Sequence, residues 1–180
     1  VRDAGGDITP TVMKWKKEAA TNTLVGPNIF TSGPKLDGIA PTWEGSIELS
    51  SGNQVNEALD SLEQLDVDFV KIYDSRLSVE LFYEIVRECE KRNLKVTGHM
   101  PMNANLDSAV DMGLDGMEHL YYILSECSPI GDSLRALKMG YRALPYLIRT
   151  YDSSLAEPFF KKLASKNFYA TPTLYIGDIL

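Results

Sequence analysis

A chain of 180 residues, 44% of them hydrophobic, is long enough to bury a sizeable core and has no long polar low-complexity run, so it reads as one globular unit or a large piece of one. With 18 basic against 25 acidic residues, a net charge of -7 and no Lys/Arg-rich stretch, it argues against a nucleic-acid partner. No run approaches the roughly 18 consecutive apolar residues of a membrane span, and Cys89 and Cys127 have neither metal-motif spacing nor the density of a disulfide scaffold.

In chain order, short apolar runs alternate with amphipathic stretches, and Gly, Pro, Asn and Asp mark the turns. The expected strands are Val1 to Asp3, Asn28 to Thr31, Val67 to Tyr73, Leu94 to Gly98, Gly116 to Glu118 and Phe168 to Leu174. A first helix is expected over Thr11 to Ala20. The stretch Ser32 to Gly52 is long and rich in Gly and Pro, and it contains Trp43; it reads as a βα loop that touches substrate. Asn53 is placed to cap a helix whose stripe is Val55, Ala58, Leu59, Leu62 and Leu65. The clearest helix follows Val67 to Tyr73: Ser78 caps it, Glu80 lies in its first turn, and Leu81, Phe82, Ile85, Val86 and Cys89 recur at helical spacing. Further helices are expected over Ala104 to Met112, around Leu134 to Thr150, and over Leu155 to Lys166. Such a rhythm fits either an open doubly wound sheet or most of a (β/α)8 barrel. Ala4-Gly5-Gly6-Asp7 is a Gly turn and not a nucleotide-binding loop, so the dinucleotide version of the open sheet loses its main support.

The chain has two histidines, and each closes an expected strand: His99 after Leu94 to Gly98, His119 after Gly116 to Glu118. In parallel α/β folds, active sites form at that edge. Lys71 stands inside an apolar strand, one strand before His99, where an unpaired ammonium would be costly. A Schiff-base amine, a salt-bridged structural lysine and a carboxylated lysine that ligates metal all fit. The two strand-end histidines favour the last. Tyr73, two residues on, shares the inward side with Lys71 and is the candidate catalytic residue, placed to polarise a carbonyl or hold substrate; a packing tyrosine fits as well.

These residues resemble the amidohydrolase superfamily, in particular its imidazolonepropionase-like and Xaa-Pro dipeptidase-like members. The similarity rests on Val1-Arg2-Asp3-Ala4-Gly5-Gly6, Asn28-Ile29-Phe30-Thr31-Ser32-Gly33-Pro34, Asp68-Phe69-Val70-Lys71-Ile72-Tyr73, Gly98-His99-Met100-Pro101, Gly116-Met117-Glu118-His119 and Thr171-Pro172-Thr173-Leu174. It implies a partial (β/α)8 TIM barrel, approximately strands two to seven, with residues 1–180 forming the central part of a single barrel domain. It also implies Lys71 as the carboxylated bridging ligand, His99 and His119 as further metal ligands, and two Zn2+ in the intact enzyme. The implied reaction is hydrolysis of an amide bond, in a peptide such as a dipeptide or in a small cyclic amide, by a metal-activated water.

The family's His-x-His pair on strand one and its Asp on strand eight have no counterpart here, and the Gly-Gly-His segment of some dipeptidases is replaced by Leu36-Asp37-Gly38-Ile39-Ala40-Pro41. The sequence opens on Val1 without Met, inside an expected strand, which favours a fragment of a longer protein. Alone it should be inactive and prone to aggregate or form a homo-oligomer through open strand edges. Its compartment is open, an exported precursor included. Two other readings stand beside the hydrolase: a metal-free Schiff-base lyase or aldolase using Lys71, and a degenerate binding barrel. Arg76, Arg142 and Arg149 are candidate anchors for a substrate carboxylate.

Overall fold

The structure is a computed structural model and describes residues 1–174. Along the chain run β1 (Arg2–Asp3), α1 (Thr9–Ala20), β2 (Phe30–Thr31), β3 (Leu36–Asp37), β4 (Ile47–Glu48), α2 (Gly52–Gln64), β5 (Val70–Ile72), α3 (Val79–Lys91), β6 (Val96–Gly98) and α4 (Leu106–Asp111). There follow β7 (Gly116–Glu118), α5 (Leu120–Glu126), α6 (Gly131–Ala136), a 3-10 turn (Gly140–Ala143), α7 (Leu144–Arg149), α8 (Ser153–Ser165) and β8 (Tyr169–Thr171). Six strands form one sheet in the order β4-β3-β5-β6-β7-β8, and β1 pairs with β2; all of these pairings are parallel. The result is a mixed α/β fold whose central strands keep sequence order, as helical crossovers between parallel neighbours require.

Local chemistry explains these elements. In β5 all three residues are buried, so the strand is a continuous apolar run broken only by Lys71. Val55, Ala58, Leu59 and Leu62 of α2 bury one stripe, and Phe82, Ile85, Val86 and Cys89 of α3 another. Each large side chain so buried contributes about 1.5–3 kcal/mol. Ser78 Oγ accepts from Leu81 N at 3.2 Å, the expected cap of α3. The stripes pack over β3, β5, β6 and β7 in one core that extends to Phe159 and Leu163 of α8.

Three expectations are corrected. The stretch Ser32 to Gly52 is not loop throughout but carries β3 and β4, because Gly33, at φ 61, turns the chain after β2 and lets it run on along β5. The contact is continuous: Asp68 N bonds Thr31 O at 2.9 Å, and Tyr73 N bonds Leu36 O at 2.9 Å. Asn53 lies inside α2, which starts at Gly52; there Gln54 Oε1 accepts from Ser50 N at 2.7 Å. The helix expected around Leu134 to Thr150 is broken where Lys138 and Gly140 take φ of 52 and 55, and it restarts with Pro145 in the first turn of α7. The short α5, unexpected from sequence, begins directly after His119.

Arg2 ties the strand pair to the far end of the sheet. Its guanidinium donates to Thr171 Oγ1 at 3.0 Å on β8, pairs with Glu118 on β7, and lies 5.1 Å from the Phe69 ring and 5.6 Å from the Tyr169 ring. No helix among the described residues is long and apolar enough to cross a membrane.

Candidate functional site

β5, β6 and β7 stand side by side in register, Lys71 opposite Thr97 and Gly98 opposite Met117, and this brings their carboxyl ends together. His99 leaves β6 from Gly98, whose φ of 144 and close approach to Ile72 leave no room for a side chain. His99 N then bonds Ile72 O at 3.0 Å. His119 leaves β7 with φ 72, an uncommon conformation for a residue with a Cβ, and its N bonds Thr171 O at 2.9 Å.

The two imidazoles meet, with His99 Nε2 2.9 Å from His119 Nε2. Tyr73 packs on His99 at 4.5 Å between ring centroids, and Tyr121 stacks on His119 at 5.8 Å. His119 Nδ1 lies 2.5 Å from Thr173 Oγ1 and 2.6 Å from Tyr141 Oη, while His99 Nδ1 is buried with no hydrogen-bond partner. Burial, then the Lys71 and His119 charges, lower the His99 pKa to about 3. His119 is also shifted down, again mainly by burial. Both rings are therefore neutral near pH 7.

Lys71 is 3% exposed, and its Nζ lies 3.5 Å from Glu118 Oε1. Burial brings its pKa down to about 8, with Glu118 pulling the other way. Burial alone would raise the Glu118 carboxyl, but Lys71 and Arg2 together hold it below its ordinary value. The pair thus sits as ammonium and carboxylate, with Arg2 as a second cation on the same carboxylate.

The sequence-derived candidates are thus assembled: Lys71, Tyr73 and His99 line one open cavity of about 360 Å³, and His119 touches His99. Arg76, Arg142 and Arg149 are exposed and lie outside that lining. Sequence reasoning passed over Lys35 and the Gly5-Gly6 turn, which line the cavity, and Tyr141 and Thr173, which hold His119. Around Lys35 the sequence Ser32-Gly33-Pro34-Lys35-Leu36-Asp37-Gly38 carries no signal of its burial.

The donor set fits part of a cation shell. Two nitrogens at about 2.0–2.1 Å from a tetrahedral zinc ion stand about 3.4 Å apart, so the histidines need open by only about 0.5 Å. Neutral imidazole suits that ion, and the hydroxyls on His119 Nδ1 supply the outer hydrogen bond such a ligand needs, whereas the buried Nδ1 of His99 has no such partner. Among the described residues no three His, Cys, Asp or Glu side chains converge, so Lys71 completes a triad only if it becomes anionic.

Solved structures share this architecture. A bottromycin amidohydrolase is 15% identical, with 98% of this chain and 54% of that one covered at a TM-score of 0.59. A Xaa-Pro dipeptidase with methionine bound in its active site is 15% identical, covering 96% and 54% at 0.57. A prolidase complexed with N-methylphosphonate-L-proline is 17% identical, covering 94% and 52% at 0.53. The likeness is one of fold. The chain spans about half the length of each of these proteins. No family model and no curated protein sequence matches it.

Proposed function

We propose that this chain is the central part of a metal-dependent amidohydrolase barrel that cleaves an amide bond in a dipeptide or another small molecule, residues 1–180 carrying approximately strands two to seven of a single domain. The observation that carries this reading is the pairing of His99 and His119, Nε2 to Nε2 at 2.9 Å, at the carboxyl ends of adjacent parallel strands beside a buried lysine on the next strand. The fold shared with amidohydrolase and prolidase structures supports it.

His99 and His119 would hold zinc, with Lys71 as a carboxylated third ligand; carboxylation joins the neutral amine nitrogen to carbon dioxide and releases a proton. Zinc supplies Lewis acidity and a water acidic enough to act as nucleophile near pH 7. Tyr73 orients the substrate carbonyl from the same side as Lys71. Before carboxylation, Glu118, held as an anion by Arg2, pairs with the Lys71 ammonium. Tyr141 and Thr173 orient the His119 ring.

Metal content of the product of the complete reading frame, expressed with zinc and bicarbonate, tests this. About two zinc equivalents, reduced by His99→Ala, His119→Ala and Lys71→Ala, are expected. A folded protein with none would overturn the reading, and borohydride trapping at Lys71 would then point to Schiff-base chemistry.

A further inference from the structure

Glu118 is one carboxylate between two cations, and the proposed chemistry removes one of them. Lys71 Nζ lies 3.5 Å from Glu118 Oε1, and Arg2 pairs with that same oxygen. The lysine side chain is 4% exposed and the glutamate side chain 9%, so water cannot stand in for a lost partner. Among the described residues Glu118 is the one acid in ion-pair range of Lys71. Lys71 therefore has one partner, and Glu118 has two.

The two cations differ in what else holds them. The Arg2 guanidinium is fixed independently of Lys71, by Thr171 Oγ1 and by the Phe69 and Tyr169 rings. Lys71 ends in a point charge on a flexible four-carbon stem. When it is carboxylated the ammonium gives up a proton, the freed nitrogen pair bonds the carbon of carbon dioxide, and one C=O pair moves onto oxygen. The product is an anion, which Glu118 repels where it had attracted the ammonium. Arg2 stays and keeps Glu118 neutralised. Without Arg2 the Lys71 ammonium would be the sole counter-charge of a buried carboxylate, and releasing it would leave that carboxylate unpaired.

We infer that Arg2 is a positioning residue for Lys71: by neutralising Glu118 it frees the lysine from the ion pair and lets it be carboxylated. This rests on the hydrolase reading, in which Lys71 is a carboxylated ligand, and the experiment separates the two. The product of the complete reading frame is stripped of metal and rebuilt with zinc over a range of isotope-labelled bicarbonate concentrations. The carbamate carbon is followed by NMR, with Lys71→Ala to assign it, zinc by elemental analysis and folding by circular dichroism.

In Arg2→Met, which keeps an apolar stem against Phe69 and Tyr169, the bicarbonate needed for half-maximal carboxylation should rise about tenfold to a hundredfold, the range for a hydrogen bond to a charged group. Arg2→Lys should recover part of that loss. Adding Glu118→Gln to Arg2→Met should return the requirement towards that of the parent, because the anion that holds the ammonium is gone; if Arg2 were only structural, the second substitution would make matters worse. Should Arg2→Met not fold, Arg2→Gln is read by the same criteria. A folded variant with the parental bicarbonate requirement, or a defect that Glu118→Gln leaves uncorrected, would overturn the positioning role alone. A parent protein that binds no zinc and forms no carbamate at Lys71 would sink the hydrolase reading and this inference with it.

Discussion

Gly98→Ala places a single methyl where β5 and β6 touch. A Cβ at this position would stand 2.1 Å from the Ile72 carbonyl oxygen and 2.8 Å from the Ile72 nitrogen, whereas real Cβ contacts essentially never fall under 3.0 Å. The obstacle is backbone, so the two strands must part by about 1 Å. Three terms follow. A side chain held at φ 144 is strained by about 1–3 kcal/mol. The bond from His99 N to Ile72 O, 3.0 Å in the native structure, is lost at about 1 kcal/mol. Displacing the packed core costs about 1–3 kcal/mol more. A total of about 3–7 kcal/mol is a large share of a typical domain stability of about 5–15 kcal/mol. Urea unfolding of the intact protein measures it, with Gly26→Ala as the control, since a Cβ at Gly26 meets nothing within 4 Å. The control should stay within about 0.5 kcal/mol of the parent. A Gly98→Ala loss below about 1 kcal/mol would refute the close approach of the two strands.

In the metal-free protein, where Lys71 is an ammonium, Glu118→Gln removes the anion between Lys71 and Arg2, and leaving that buried cation unpaired should cost about 3–5 kcal/mol in the same unfolding assay. Asp74 has its pKa raised to about 6 by burial, so between its ordinary 3.8 and 6 the folded state binds more protons than the unfolded one and stability falls as pH rises. Asp74→Asn should flatten that slope and be the more stable protein at pH 7, as thermal melts across pH 4–7 would show. Tyr141→Phe combined with Thr173→Val should weaken zinc binding by about tenfold to a hundredfold through loss of both hydroxyls on His119 Nδ1, read by competition with a chelator.

The local rules carried the sequence reading a long way. Six of the eight strands lie at or within the expected runs, and α3 and its Ser78 cap follow from apolar spacing plus one hydroxyl. His99 and His119 were legible as a pair because both close a strand, and Lys71 because it interrupts an apolar run. What failed was non-local or conformational. β3 and β4 are two residues each, too short to show a period; β3 forms by pairing with β5, and β4 by pairing with β3. The break in the helix after Leu134 depends on a left-handed Lys138, and lysine gives no sign of that. Tyr141 and Thr173 reach His119 from 22 and 54 residues away, so no spacing rule links them.

The left-handed backbone at His119 has a geometric purpose. In an extended strand successive side chains point to opposite faces, which is why Lys71 and Tyr73, two apart, line the same cavity. Glu118 points inward to Lys71 and Arg2, so regular alternation would send His119 outward, away from His99. A φ of 72 breaks the alternation at the last step and swings the ring back, while His119 N keeps its bond to Thr171 O and the strand stays paired. The strain is about 1–3 kcal/mol, held in place by the start of α5, the Tyr121 stack and the two hydroxyls on Nδ1. Two consecutive residues thus turn to the same side, Glu118 against Lys71 and Arg2 and His119 against His99. Helix α5 begins at the next residue, Leu120, with no spacer to let the His119 backbone relax.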